Sequence, residues 1–456
     1  MTKDLTTGKP FGLIFGFSVP LLFGYLFQQF YNIVDTVIVG QFLGKEALAA
    51  VGSTGSVNFL IIGFCIGVCS GFSVPVANKF GAKDLDTMRR LIGNAAVFSA
   101  VFSVFFAILT YLFCRPLLRL MNTPQNIIEY ASLYIGIIFL GIPVVFLYNL
   151  LAGILRAVGD SRTPLIFLII SSLLNIALDL LFIVVFKLGV RGAAFATVIA
   201  QGISGIACLF YILAKFPVLR LKRSDWAINP ELLKKLVGTG FPMGIQYSIT
   251  AIGSVILAAG INSLGSDAVA AQTAAIKVSI FFCCPFDALG TCMATWAGQN
   301  AGAGKLPRIK QGVWQSSIIG SVYSVLAFGC MFFFGKNFGL LFLSAEESII
   351  LKMVHNFLIA NSIMYIPLAL VNILRFAIQG MGYSKLAVFA GLFELIGRAV
   401  AALALIPVFG FNGACVASPI AWILADAFLI PAFFSCYKRL EIKELNYRAG
   451  WDETRD

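Results

Sequence analysis

Three polar side chains, Gln28, Asn32 and Asp35, interrupt an apolar run over residues 17–44. Their spacing, i, i+4, i+7, sets them on one face of a helix. The run is long enough to cross a bilayer, at ~1.5 Å rise per residue against a hydrocarbon core of ~30 Å. A second stripe, Ser171, Asn175 and Asp179, follows at i, i+4, i+8 in the apolar run over residues 164–186. A carboxylate turned to lipid costs several kcal/mol, so both acids are expected to face an internal cavity. Asp35 stands seven residues before Phe42 and Asp179 seven before Phe186. Each is therefore ~10 Å below the same membrane surface. Two acids at one depth form a candidate cation site. Held close and ionised together they repel, which favours a shared proton or a bound Na⁺.

The elements that must position these acids are membrane spans. Of 456 residues, 59% are hydrophobic and 12% charged, whereas a soluble domain carries about 25% charged residues. Mean hydropathy is +0.92. Polar breaks near residues 45, 80, 120, 160, 189, 225, 265, 305, 344, 382 and 411 divide the chain into twelve apolar segments. The expected fold is an all-α polytopic membrane protein with about 12 transmembrane helices in two pseudo-symmetric six-helix lobes. Residues 1–216 would form the N-lobe and residues 217–230 a cytoplasmic linker, with residues 231–456 forming the C-lobe and a short cytoplasmic tail.

The net charge of +12 is topological. The termini and the breaks on their side hold 23 Lys and Arg, and the opposite breaks hold 7. The positive-inside rule then places both termini in the cytoplasm of a cell-membrane protein, and no nucleic-acid partner is expected. Ten Cys, mostly inside apolar runs, accompany a single His, His355, and no CxxC pair. They read as small buried hydrophobes, so neither a disulfide framework nor a structural metal site is expected. No HExxH, Gly-x-Ser-x-Gly or P-loop pattern occurs, which argues against a membrane enzyme and against ATP-driven pumping. No cofactor is expected beyond H⁺ or Na⁺ as coupling ion.

The second half restates the first at an offset near 222 residues: Pro20 answers Pro242, and Leu43-Gly44 answers Leu264-Gly265. NKFGAKD at residues 78–84 answers QNAGAGK at 299–305, and LRAVGDSRTP at 155–164 answers FAIQGMGYSK at 376–385. Six spans per half is an even number, so both halves run in the same sense, as in a parallel repeat with a cleft between lobes. Intrahelical prolines (Pro20, Pro75, Pro143, Pro242, Pro367) are expected to kink their helices. Gly63, Gly67 and Gly71 read as a close-packing face.

The paired six-helix halves, the polar first segment ending at Asp35, and the Asn-x-x-x-Asp of Asn175 and Asp179 resemble the MATE family of multidrug and toxic compound extrusion transporters. The likeness covers nearly the whole chain and is nearest to prokaryotic members that keep their acids in the N-lobe. It implies efflux of cationic or amphipathic compounds coupled to H⁺ or Na⁺ by alternating access. On the family pattern Asp35, Asn175 and Asp179 form the coupling site, and Na⁺ would bind there. Gln28 and Asn32 contribute nearby, and Tyr25, Phe27, Tyr148 and Tyr247 are candidate cleft aromatics. The acid some members carry in the seventh segment is Thr250 here; Asp35 is answered by Leu257, Asn175 by Arg398 and Asp179 by Ala402.

The C-lobe carries different charges: Lys277 and Asp287 in the eighth segment, Arg375 in the tenth, Glu394 and Arg398 in the eleventh. Glu394 and Arg398, at i, i+4, can pair on one face as part of a structural network. Alternatively, Lys277 or Glu394 faces the cleft and selects substrate charge. A Lys there favours anionic or zwitterionic cargo, which keeps a flippase or exporter of lipid-linked cargo as the competing reading. Nothing in the sequence demands more than a monomer.

Overall fold

A computed structural model describes residues 3–121, 123–344 and 346–448. Among them the chain is helical throughout. In order, the helices are α1 (Pro10–Ser53), α2 (Gly55–Gly81), α3 (Leu85–Leu120), α4 (Ile128–Leu140), α5 (Ile142–Ala157), α6 (Arg162–Asp179) and α7 (Val190–Lys215). There follow α8 (Pro230–Asn262), α9 (Ser266–Gly302), α10 (Leu306–Gly339), α11 (Ser348–Ser362), α12 (Tyr365–Gly380), α13 (Ser384–Val400), the short α14 (Ile406–Phe409) and α15 (Phe411–Cys415), and α16 (Ala417–Arg448). Ten candidate spans are long and apolar enough to cross a membrane, and the bent pairs α4–α5 and α11–α12 bring the total to twelve. The pairs bend by 47° and 50°. Each bend lies just before a proline, Pro143 or Pro367, which has no N–H to continue the helical ladder.

The repeat is written into the backbone. Gly44 (φ 84°) and Gly265 (φ 97°) both adopt the left-handed region that lets one helix end and the next begin. Lys83 (φ 60°) and Gly304 (φ 66°) share the same turn after α2 and α9, so the first half forces a lysine where the second uses glycine. Gly159 and Gly189 find counterparts in Gly382 and Gly410. A π-helical turn follows α6 at Leu180–Val185 and another follows α13 at Ala401–Leu405.

The chain divides into two compact units. The first comprises Phe23–Ser248 with Lys3 and Asp4; the second comprises Leu5–Leu22 with the chain from Ile249 onward. Both divisions fall inside a continuous helix, α1 or α8, a few residues beyond Pro20 or Pro242. In the first unit α2 packs on α5 and α6 on α7; in the second α9 packs on α12 and α13 on α16. Within the first unit Gly67 and Gly71 of α2 meet Gly240 and Gly244 of α8 backbone to backbone. A Cβ on Gly67 would stand 2.7 Å from the Met243 carbonyl oxygen, so only glycine permits this approach. The basic stretch after α7 is docked rather than loose: Asn94 of α3 donates to the Ala227 carbonyl (3.1 Å) and accepts from the Asn229 N–H (2.8 Å). In the second unit Lys305 donates to the Thr6 carbonyl (2.9 Å) and the Gln299 side chain accepts from the Leu5 N–H (2.9 Å).

Candidate ion-coupling site

α6 is positioned at its start by Asp160, whose carboxylate accepts from the Thr163 N–H (3.0 Å) and hydroxyl (2.7 Å). Eighteen residues of helix then carry Asp179 to the end of α6, where the π-helical turn begins. π-turns loosen the hydrogen-bond register and recur at functional sites. Asp179 is fully buried, and its carboxyl lies within hydrogen-bonding reach of that of Asp35 on α1. Two spans far apart in sequence thus bring the two acids predicted at equal depth into contact.

Around the pair the described neighbours Asn175, Thr197, Tyr31 and Tyr134 are polar and uncharged. Asn175, one turn before Asp179, has an amide whose nitrogen donates to Asp179 Oδ2 (3.3 Å) when its oxygen accepts from the Thr197 N–H of α7 (3.2 Å). That orientation satisfies both ends of the amide. Tyr31, one turn before Asp35, and Tyr134 of α4 lie within electrostatic reach of both acids. Among the described residues no Lys, Arg or His forms an ion pair with either acid. Oδ1 of Asp35 and Oδ1 of Asp179 are buried without a hydrogen-bond partner. Two carboxyls in contact need a positive charge between them, and these free oxygens offer it a place. The set of donors, carboxylate oxygens with an amide nearby, suits a proton or a hard monovalent cation.

The other sequence candidates are distributed more widely. Gln28 and Tyr25 are half-buried on α1 and Asn32 is exposed. Tyr148 is buried on α5, and its hydroxyl donates to the Pro164 carbonyl (3.0 Å). Tyr247 is half-buried on α8, beside Gly63 of α2. Of these none makes a hydrogen bond to the acid pair. Tyr31, Tyr134 and Thr197 join the site although sequence reasoning did not single them out. Tyr31 is one helical turn from Asp35 and was visible by spacing, whereas Tyr134 and Thr197 arrive from other helices.

The second unit holds a different arrangement. Glu394 of α13, 3% exposed, is ion-paired to Arg375 of α12 and lies 3.5 Å from Arg398 Nη2 on its own helix. Arg398 also donates to the Thr250 carbonyl of α8 (3.3 Å). Asp287 of α9 and Asp426 of α16 lie within electrostatic reach of Arg375. Glu394 is therefore committed to internal counterions, while Lys277 and Asp287 of α9 are exposed.

A duplicated chain with up to twelve candidate spans, two of whose acids meet within one unit, has the build of a membrane transporter. The comparisons name its family. The MatE family model matches residues 20–181 and again residues 242–403, starting 222 residues apart. The chain is 33% identical over 344 residues to the probable multidrug resistance protein YoeA of Bacillus subtilis (strain 168), covering 73% of each. It is 31% identical over 310 residues to the probable multidrug resistance protein YpnP of the same organism, covering 67% of this chain and 68% of that one. A crystal structure of a MATE protein in complex with MaL6 superposes with a TM-score of 0.88 at 22% identity, over 97% of this chain and 99% of that one. This chain belongs to the MATE family; it is a transport protein and not an enzyme.

Proposed function

We propose that this protein exports small amphipathic or cationic compounds from the cytoplasm by ion-coupled antiport, with Asp35 and Asp179 as the coupling site and Asn175 as its supporting ligand. The observation that carries the reading is the closeness of two carboxyls within the spans, Asp179 buried and Asp35 half-buried. Each has a buried oxygen that has no hydrogen-bond partner and, among the described residues, neither is paired to a protein cation. Its relatives' names, probable multidrug resistance proteins, support the cargo class. A proton or Na⁺ held by the pair stabilises whichever conformation brings the carboxyls together. A state that separates them binds the ion less well, and that difference in affinity is what couples the gradient to transport. The π-turn beside Asp179 supplies a place where the backbone can change register at small cost. Both acids lie in one chain, so a monomer suffices. The charge bias of the breaks puts both termini on the cytoplasmic side of the cell membrane.

The test is efflux of a fluorescent organic cation from proteoliposomes under an imposed Na⁺ gradient or pH gradient, applied separately, with Asp35→Asn beside wild type. Transport under one gradient and its loss in the variant identify the coupling ion. Undiminished gradient-driven efflux by Asp35→Asn would sink the assignment.

A further inference from the structure

The stretch that joins α7 to α8 presents a surface that the coupling site does not use. α7 ends at Lys215, and Phe210 and Tyr211, exposed about one turn earlier, mark a rim where aromatic side chains meet headgroups. The chain does not run out into solvent from there. Phe216 and Leu219 turn back into the hydrophobic core of the first unit. Asp225 is buried and accepts from the Lys222 N–H (2.7 Å), and Asn94 of α3 clamps Ala227 and Asn229. The Asn229 side chain then caps α8, accepting from the N–H groups of Glu231 (2.9 Å) and Leu232 (3.1 Å). The stretch is therefore a fixed platform at the end of a span.

What the platform turns outward is basic and apolar together. Lys215, Arg220, Lys222 and Arg223 are exposed, and so are Trp226 and Ile228. The one acid between residues 215 and 229, Asp225, faces inward, 3.9 Å from Arg89 Nε of α3. Among the described residues the side chains of Lys222 and Arg223 form no ion pair. Arg223 and Trp226 are the two ends of a 3₁₀ turn, where side chains at i and i+3 eclipse, so cation and indole share one edge. The internal repeat does not require this surface. At the offset of 222 residues, Trp226 answers to Asp4, and Ala227 and Ile228 answer to Leu5 and Thr6, which are buried.

We propose that this platform binds anionic phospholipid of the cytoplasmic leaflet, with Lys222 and Arg223 on the headgroup phosphate and Trp226 and Ile228 seated beside it at the acyl boundary. Four cations directly beyond a span suit an anionic headgroup layer. An indole with an aliphatic neighbour suits the boundary between headgroup and chain, where one end of the ring is wet and the other apolar. A soluble polyanion would satisfy the cations but leave Trp226 and Ile228 in water. Lipid binding here is independent of the export reading; only the choice of leaflet comes from the charge bias of the breaks.

Brominated lipids quench indole fluorescence on contact, so Trp226 itself can report which lipid touches it. The full chain is reconstituted in phosphatidylcholine vesicles holding the same small share of either dibrominated phosphatidylglycerol or dibrominated phosphatidylcholine. Subtracting the emission of Trp226→Phe from that of wild type isolates this indole from the other four tryptophans. Its quenching by the brominated phosphatidylglycerol should exceed that by the brominated phosphatidylcholine about twofold or more. Lys222→Gln with Arg223→Gln should make the two lipids equivalent, as should raising NaCl to about 0.5 M on wild type. Arg223→Lys should keep the preference. All of these side chains are exposed, so melting in detergent should not change; if the double variant melts early, the salt series on wild type decides alone. The proposal is overturned if neither lipid quenches Trp226, if both quench it equally in wild type, or if the preference survives loss of the two charges or the added salt. Unquenched Trp226 whose emission shifts on adding heparin would assign the surface to a soluble polyanion instead.

Discussion

The acid pair of the first unit and the buried glutamate of the second answer the same problem, a carboxylate inside a membrane bundle, in opposite ways. Asp35 and Asp179 face each other with oxygens to spare. Glu394 is held between Arg375 and Arg398. The surrounding backbone is shared: a π-turn follows α6 and another follows α13, and left-handed residues punctuate both halves at corresponding places. One scaffold was therefore fitted with two electrostatic contents. A site whose countercharge is built into the protein is a fastener, because its energy does not depend on the medium. On the reading proposed above, a site whose countercharge comes from solution would report the ion gradient.

That contrast is broken most directly at the acids. Asp35→Asn or Asp179→Asn should lower gradient-driven efflux by roughly two orders of magnitude, since a coupling site without its charge has no differential affinity to offer. Both variants should remain folded, because an amide can hydrogen-bond to the remaining carboxyl. Thermal melting in detergent beside the transport assay distinguishes lost coupling from lost fold. The second unit should behave the other way. Glu394→Gln removes the negative charge set against the buried Arg375 and Arg398 and should cost about 3–5 kcal/mol of stability, seen as loss of monodisperse protein. Replacing Arg375, Glu394 and Arg398 together with apolar residues of similar size should recover much of that loss if the network is only a fastener.

Smaller effects sharpen the picture. Gly67→Ala should destabilise the first unit by about 1–3 kcal/mol, because the added methyl meets the Met243 carbonyl and the Gly244 backbone. Asn175→Leu should weaken the apparent affinity for the coupling ion about tenfold while sparing maximal transport, since it removes a donor to Asp179 and leaves the carboxyl in place. Least of all, Asp84→Ala should cost about 1 kcal/mol by removing the cap of α3, where the carboxylate accepts from the Thr87 N–H. The hydrogen bond from Lys79 holds the Asp84 carboxyl below the usual carboxylate range. A depressed folded-state value means the contribution is complete above the ordinary pKa near ~4 and lost as pH falls through the lower one. The two proteins should therefore converge in acid. The pair is partly exposed, so the convergence is a fraction of a kcal/mol.

Much of this was legible in one dimension. Span number, break positions and the twofold repeat follow from runs of apolar residues and the breaks between them, which are local properties of a chain in a bilayer. Pro143 and Pro367 marked the two bent spans, whereas α1, α2 and α8 run on through Pro20, Pro75 and Pro242; a proline removes one rung of the helical ladder, and packing decides whether the helix breaks there. Asp35, Asn175 and Asp179 stood out because charged or strongly polar side chains within an apolar run are costly wherever the chain goes. Tertiary structure decided the rest. It set the two acids against each other, and it brought Tyr134 from α4 and Thr197 from α7 beside them. It joined Arg375 to Glu394 across helices, and it left Lys277 and Asp287 uncovered on α9. Helical spacing states which residues share a face but not which helix covers that face. The choice between a satisfied charge and a waiting one was therefore made by packing between helices distant in sequence.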